Sequence, residues 1–137
     1  MSQIKVIALD IYGTVLASDD PENIMPPRIG LEELFDKCDR KGIKVVSASD
    51  SDIAVLRIDL VESGVDITRF DNFYCLNQWP FKDFKWIIND YRIKPSELLV
   101  VGDSDKDTLG AEEVKARHIR VARYQGGRDS FDLSSVI

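Results

Sequence analysis

The stretch IKVIALDIYGTVLA, residues 4–17, decides how this chain folds. It opens on a continuous run of Ile, Val, Ala and Leu, the composition of a strand buried on both faces. The run ends in Asp10, and Gly13 lies in the turn that follows. A carboxylate leaving a buried strand is costly unless it is paired or bound to a cation. Its placement there points to chemistry.

The rest of the chain alternates in the same way. Residues 26–42, PPRIGLEELFDKCDRKG, set Ile29, Leu31, Leu34, Phe35 and Cys38 at helical spacing between prolines and Gly42. IKVVS (43–47) predicts a second strand, and 50–64 a second helix with Asp/Ser caps before it and Gly64 closing it. NFYCL (72–76) is a third strand, and FKDFKWIINDYRI (81–93) a third helix with Phe84, Ile87, Ile88 and Tyr91 on one stripe. ELLVV (97–101), KDTLGAEEVKAR (106–117) and HIRVA (118–122) continue as strand, helix and strand, and the tail 128–137 reads as a short helix or irregular cover. Five strands alternating with helices predict right-handed βαβ units. The expected fold is α/β: a three-layer αβα, Rossmann-like single domain over residues 1–137, with a five-stranded parallel sheet. Such sheets bind ligands at the carboxyl ends of the strands, where strand order reverses. That edge would gather Asp10, Ser47, the NQWPFK stretch at 77–82 and Gly102–Asp103.

Composition narrows the function. With 137 residues, 44% hydrophobic and 31% charged, the chain is long enough for one real core. A net charge of −6 argues against nucleic-acid binding, which relies on Lys and Arg neutralising phosphates. A small anionic substrate stays compatible, because a metal reverses the local field. No apolar run approaches the roughly 18 residues of a membrane span, and the N-terminus lacks a signal-peptide pattern, so a cytoplasmic protein is expected. Cys38 and Cys75 form no CxxC and fall at positions expected to face the core, as reduced thiols. The lone His118 excludes a zinc site of the multi-His or Cys/His kind.

Two acidic exits remain, Asp10 and VVGDSDKD at 100–107. Asp10, Asp103 and Asp107 offer the hard oxygen ligands that Mg²⁺ prefers. Asp107, at a helix start, equally fits a capping or dipole role.

Together these features resemble the haloacid dehalogenase (HAD) superfamily of aspartate-nucleophile hydrolases, most of them phosphatases. LDIYGTV (9–15) resembles the first motif with Asp10, Gly13 and Thr14, and Ser47 in VVSAS the second. Lys82 stands for the third, with Lys85 as its competitor, and GDSDKD (102–107) resembles the fourth with Gly102, Asp103 and Asp107. The resemblance implies a catalytic set of Asp10, Thr14, Ser47 and Lys82. It implies Mg²⁺ held by Asp10, the backbone carbonyl of Tyr12, Asp103 and Asp107, and substrate bound by Gly13, Ser47, Ala48 and Lys82. Asp10 would attack phosphorus and form an aspartyl-phosphate; Asp107 would orient Lys82 or the metal's waters.

Tyr12 departs from the pattern. Phosphatases of the family carry there a second aspartate that protonates the leaving oxygen, help worth about 10²–10⁴ in rate. Three readings stay open: a slow phosphatase or one restricted to good leaving groups; replacement of the acid by Asp19, Asp20 or Glu22; and a catalytically impaired module binding metal, phosphate or a phosphorylated partner. Tyr at this position also resembles the dehalogenase branch, but those enzymes need no Mg²⁺, lack the intact fourth motif and carry a cap. The spacing here leaves no room for a cap, so halide chemistry ranks below the others. An open, cap-less site suits a small phosphorylated substrate or a phosphorylated macromolecule, or an oligomer whose neighbour covers it. A receiver domain would need acidic and lysine exits that NQW and RYQ do not provide, and no G-x-G-x-x-G follows the first strand.

Overall fold

The computed structural model describes residues 3–17, 26–126 and 131–137. Five strands, β1 (Val6–Leu9), β2 (Lys44–Ser49), β3 (Asn72–Cys75), β4 (Leu98–Gly102) and β5 (Arg117–Arg120), form one sheet in the order β3-β2-β1-β4-β5. Every pairing is parallel. The connections are α1 (Leu31–Lys41), α2 (Ile53–Glu62), α3 (Lys85–Tyr91) and α4 (Asp105–Val114), with short 3₁₀ turns at Ile67–Arg69, Pro95–Glu97 and Leu133–Val136. The expected α/β architecture is therefore the observed one.

Side chains alternate across β1 into two cores, which is why its sequence is apolar without interruption. Ile7 and Leu9, with Ile11 beyond the strand, join Leu34, Phe35, Leu56 and Leu60 of α1 and α2 on one face. Val6 and Ala8 join Phe84, Ile87 and Ala111 from the α3 and α4 side on the other. The tail packs on α1, with Leu133 and Val136 buried in the first core. Cys38 is buried as expected; Cys75 is exposed, because β3 is an edge strand with a half-covered face.

The order of strands sets the site. Leu9 is level with Ser47 on one side and Val101 on the other. From β1 the chain turns toward β2, and from β4 it turns the opposite way toward β5, so a crevice opens at the carboxyl ends of β1 and β4. No helix of the described residues is long and apolar enough to cross a membrane.

Candidate active site

Asp10 follows β1 and donates its backbone N–H to the Val101 carbonyl at 2.9 Å, so the residue after the strand is still held by the sheet. Asp103 follows β4, and Asp107 lies in the first turn of α4. Carboxylate oxygens of all three lie within 4.8 Å of one another. Asp10 and Asp107 are buried and Asp103 is half-buried, so the cluster opens to solvent on the Asp103 side.

Lys82 enters from the loop before α3, and its backbone N–H is held by the Lys106 carbonyl at 3.2 Å. Its side chain is only 2% exposed. The ammonium donates to Asp107 Oδ1 at 2.6 Å, Asp10 Oδ1 at 3.0 Å and the Ala48 carbonyl at 2.6 Å. Lys85 begins α3 on an exposed face, so of the two lysines only Lys82 reaches the carboxylates. Asp107 Oδ2 accepts a hydrogen bond from Ser104 Oγ at 2.9 Å, so both its oxygens are engaged by protein donors. Thr14 Oγ1 lies 3.2 Å from Asp10 Oδ2 and 3.4 Å from Asp103 Oδ1.

The glycines of the two motifs serve close approach. Gly13 has φ +86, and a Cβ there would meet Asp103 Oδ2 at 2.3 Å. A Cβ at Gly102 would meet Asp107 Cγ, also at 2.3 Å. Neither position admits a side chain without displacing a carboxylate.

Electrostatics leave the cluster short of positive charge. Burial pushes the Asp10 carboxyl well above its usual range; Lys82 opposes the rise, while Asp107 and a hydrogen bond with Asp103 add to it. Burial also pulls against the charge on Lys82, but Asp10 and Asp107 outweigh it and hold the ammonium above its ordinary value. One ammonium faces three carboxylates, an imbalance that a divalent cation corrects. The donor set is all hard oxygen, as Mg²⁺ requires. Ser47 Oγ, at the register position just before Asp10, is a buried side-chain polar atom without a hydrogen-bond partner. A buried hydroxyl without a partner is unusual, and this one is free to meet a ligand oxygen.

Tyr12 faces elsewhere. Its ring packs against the first core, and its hydroxyl donates to Asp59 Oδ2 on α2 in a short hydrogen bond. Burial, and then Asp59, push the phenol above its ordinary value, so it holds its proton more tightly than free tyrosine. The acids at 19, 20 and 22 lie outside the described residues. Trp79 is exposed and Phe81 half-buried.

Two residues with no signal in the sequence brace the loop after Asp10. Arg28 is 1% exposed; its guanidinium donates to the Ala122 carbonyl at 2.7 Å and the Thr14 carbonyl at 3.4 Å, and stacks near the rings of Tyr124 and Phe131. Tyr124 donates its backbone N–H to the Gly13 carbonyl at 2.7 Å and its hydroxyl to the Pro26 carbonyl at 2.8 Å. An arginine after two prolines reads as a surface residue, and no periodicity marks it otherwise.

The HAD-hydrolase-like family model matches residues 83–132, the segment holding α3, β4, the acidic fourth motif and β5. Among proteins of curated function, none matches the chain significantly. Solved structures match nearly all of it. A variant of CbbY from Rhodobacter sphaeroides in complex with xylulose-1,5-bisphosphate superposes with TM-score 0.75 at 12% identity, covering 90% of this chain and 88% of that one. A predicted phosphoglycolate phosphatase from Haemophilus somnus gives 0.72 at 14%, again over 90% and 88%. A haloacid dehalogenase-like hydrolase from Streptococcus pneumoniae gives 0.71 at 13%, over 92% and 88%. At these identities the likeness speaks for the fold. The family match is a likeness over residues 83–132 alone, the part of the chain that carries its fourth strand and helix.

Proposed function

We propose that the protein is a Mg²⁺-dependent phosphatase that works through an aspartyl-phosphate on Asp10. The observation that carries this reading is the buried Lys82 ammonium, shared by Asp10 and Asp107 beside Asp103. Asp10, Asp103 and the backbone carbonyl of Tyr12 would hold the ion; Asp107, already bonded to Lys82 and Ser104, would orient Lys82 and the ion's waters. When bound, Mg²⁺ supplies the positive charge that lets a carboxylate approach a phosphate dianion.

The rest follows from the side chains. Asp10 attacks phosphorus with one carboxylate oxygen, and the bond to the leaving oxygen breaks. Lys82, the Ser47 hydroxyl and the backbone around Gly13 and Ala48 receive the equatorial oxygens as charge builds. Thr14 keeps the Asp10 carboxylate oriented from its second oxygen. Water then attacks the aspartyl-phosphate and releases inorganic phosphate, regenerating Asp10. With the Tyr12 proton committed to Asp59, the leaving group departs without help from position 12. Substrates with stable leaving anions, aryl and acyl phosphates, are therefore favoured over alkyl esters.

The purified chain should hydrolyse p-nitrophenyl phosphate only with Mg²⁺, and Asp10→Asn should lower the rate at least ~10³-fold. Turnover surviving in Asp10→Asn, or unaffected by chelation, would overturn the reading. The bond between Tyr12 and Asp59 also favours a second reading, a module that binds metal and phosphate without turnover. Mg²⁺ binding with no cleavage of any aryl, acyl or alkyl phosphate would select it.

A further inference from the structure

We infer that the outward face of α2 is a self-association surface, which pairs in parallel with α2 of a second copy of this chain. The helix is apolar on both sides. Its inner side is in use: Leu56 and Leu60 are buried in the first core, and Asp59 accepts the Tyr12 hydroxyl. Its outer side exposes Val55, Ile58 and Val61 at 53%, 58% and 54%. An all-round apolar helix is a buried helix, yet half of this one faces solvent. Ala54, Arg57, Ile58, Val61, Glu62 and Ile67 line a shallow groove of about 510 Å³ there.

The spacing and charges name the occupant. Ala54, Ile58 and Val61 recur at intervals of four and three, the d-a-d seam of a heptad. On that register Arg57 precedes the central a position and Glu62 follows the second d, so they occupy g and e on opposite flanks. In a parallel pair, a g residue meets the e residue five positions further along the other helix. Arg57 of each copy then faces Glu62 of the other, giving two symmetric ion pairs around an Ile58–Ile58 and Val61–Val61 seam. An antiparallel pair would set Arg57 against Arg57 and Glu62 against Glu62, so charge selects the parallel arrangement. The Arg57 guanidinium lies 5.3 Å from the ring of Phe73 on edge strand β3, which keeps it at the flank of the stripe.

The ten-residue helix is about 15 Å long. The interface is small, and its dissociation constant is expected to be weaker than about 1 µM. Because α2 runs from the carboxyl edge of the sheet back to its amino edge, a parallel pair turns both candidate active sites the same way. The pairing does not depend on the catalytic reading, since no residue of the seam lies in the carboxylate cluster.

Sedimentation equilibrium of the full chain, from micromolar to millimolar concentration, tests it. The average mass should rise from 15.5 kDa toward twice that value. Ile58→Asp should weaken association at least ~10-fold, Arg57→Glu and Glu62→Arg should each weaken it, and the double reversal should restore it. In a Cys75→Ser background, Ile58→Cys should oxidise to a symmetric dimer, because like positions meet in a parallel seam. Circular dichroism should give the wild-type spectrum for each variant, because all these positions are exposed. A mass that stays at 15.5 kDa, association indifferent to Ile58→Asp, or a double reversal weaker than both single variants would overturn the proposal.

Discussion

In the proposed mechanism Tyr12 sets which leaving groups can depart, and its partner Asp59 sets what the phenol can do. The phenol is half-buried, donates to Asp59 and has its acidity suppressed by burial and that carboxylate. Tyr12→Phe should therefore leave p-nitrophenyl phosphate hydrolysis within about twofold of wild type, while losing about 0.5–1.5 kcal/mol of stability with the hydrogen bond. A fall of 10²-fold or more in kcat would show that the hydroxyl takes part in the chemistry after all. Tyr12→Asp should raise the rate on alkyl phosphates by about 10-fold or more relative to aryl phosphates, since a carboxyl there can protonate a poor leaving group. Equal rates for the two classes before and after that change would remove the leaving-group argument. The tyrosine itself was legible in the sequence as a departure. Its engagement by Asp59, 47 residues away, was not, because Asp59 sits among the apolar residues of α2 without any pattern that marks it.

At the scale of elements, the loop after β1 is positioned from outside the sheet. Arg28 and Tyr124 hold the Thr14 and Gly13 carbonyls, so the Thr14 hydroxyl stays between Asp10 and Asp103. Arg28→Met keeps the side-chain volume and removes the donors. It should raise the half-saturating Mg²⁺ concentration and lower kcat by roughly 10-fold, and cost about 1–3 kcal/mol from the carbonyls left bare. Loss of stability with unchanged Mg²⁺ dependence would make Arg28 a purely structural residue. The element order, the parallel sheet and the exits of β1 and β4 were readable because strands buried on both faces carry unbroken apolar runs. The ends of elements were less so. Residues 81–93 carry a helical stripe, yet α3 spans only Lys85–Tyr91, and Lys82 belongs to the loop because its backbone is tied to Lys106. Bracing by Arg28 was invisible, since nothing local distinguishes a buried arginine from a solvated one.

For the whole molecule, the proposed ion site would couple stability to metal through the charge balance at the sheet edge. Away from the site, three carboxyls among the described residues lie below their ordinary values: Asp66 through the Thr68 hydroxyl, Glu97 through the Lys94 backbone N–H, and Asp132 through the Ser134 hydroxyl. A depressed carboxyl adds stability that is present above its unfolded value and is lost as pH falls through the folded one. Those three therefore predict acid destabilisation that begins near the ordinary values of 3.8 for Asp and 4.5 for Glu and deepens below them. The site behaves in the opposite sense, because without a divalent ion Asp10 is a buried charge facing Asp103 and Asp107 with one ammonium between them. Replacing it by a neutral isostere relieves that repulsion while Lys82 keeps its 2.6 Å contact with Asp107. Asp10→Asn in chelator should thus melt at or above wild type, by roughly 2–6 °C if about 1 kcal/mol is recovered. Added Mg²⁺ should raise the wild-type melting temperature, with about 2.7 kcal/mol gained at a hundred times the dissociation constant, and should move the variant far less. Differential scanning fluorimetry at neutral pH reads both arms. A variant that melts well below wild type without metal, yet responds to Mg²⁺ equally, would mean that Asp10 stabilises the fold as an ordinary ion-pair partner and contributes nothing to an ion site.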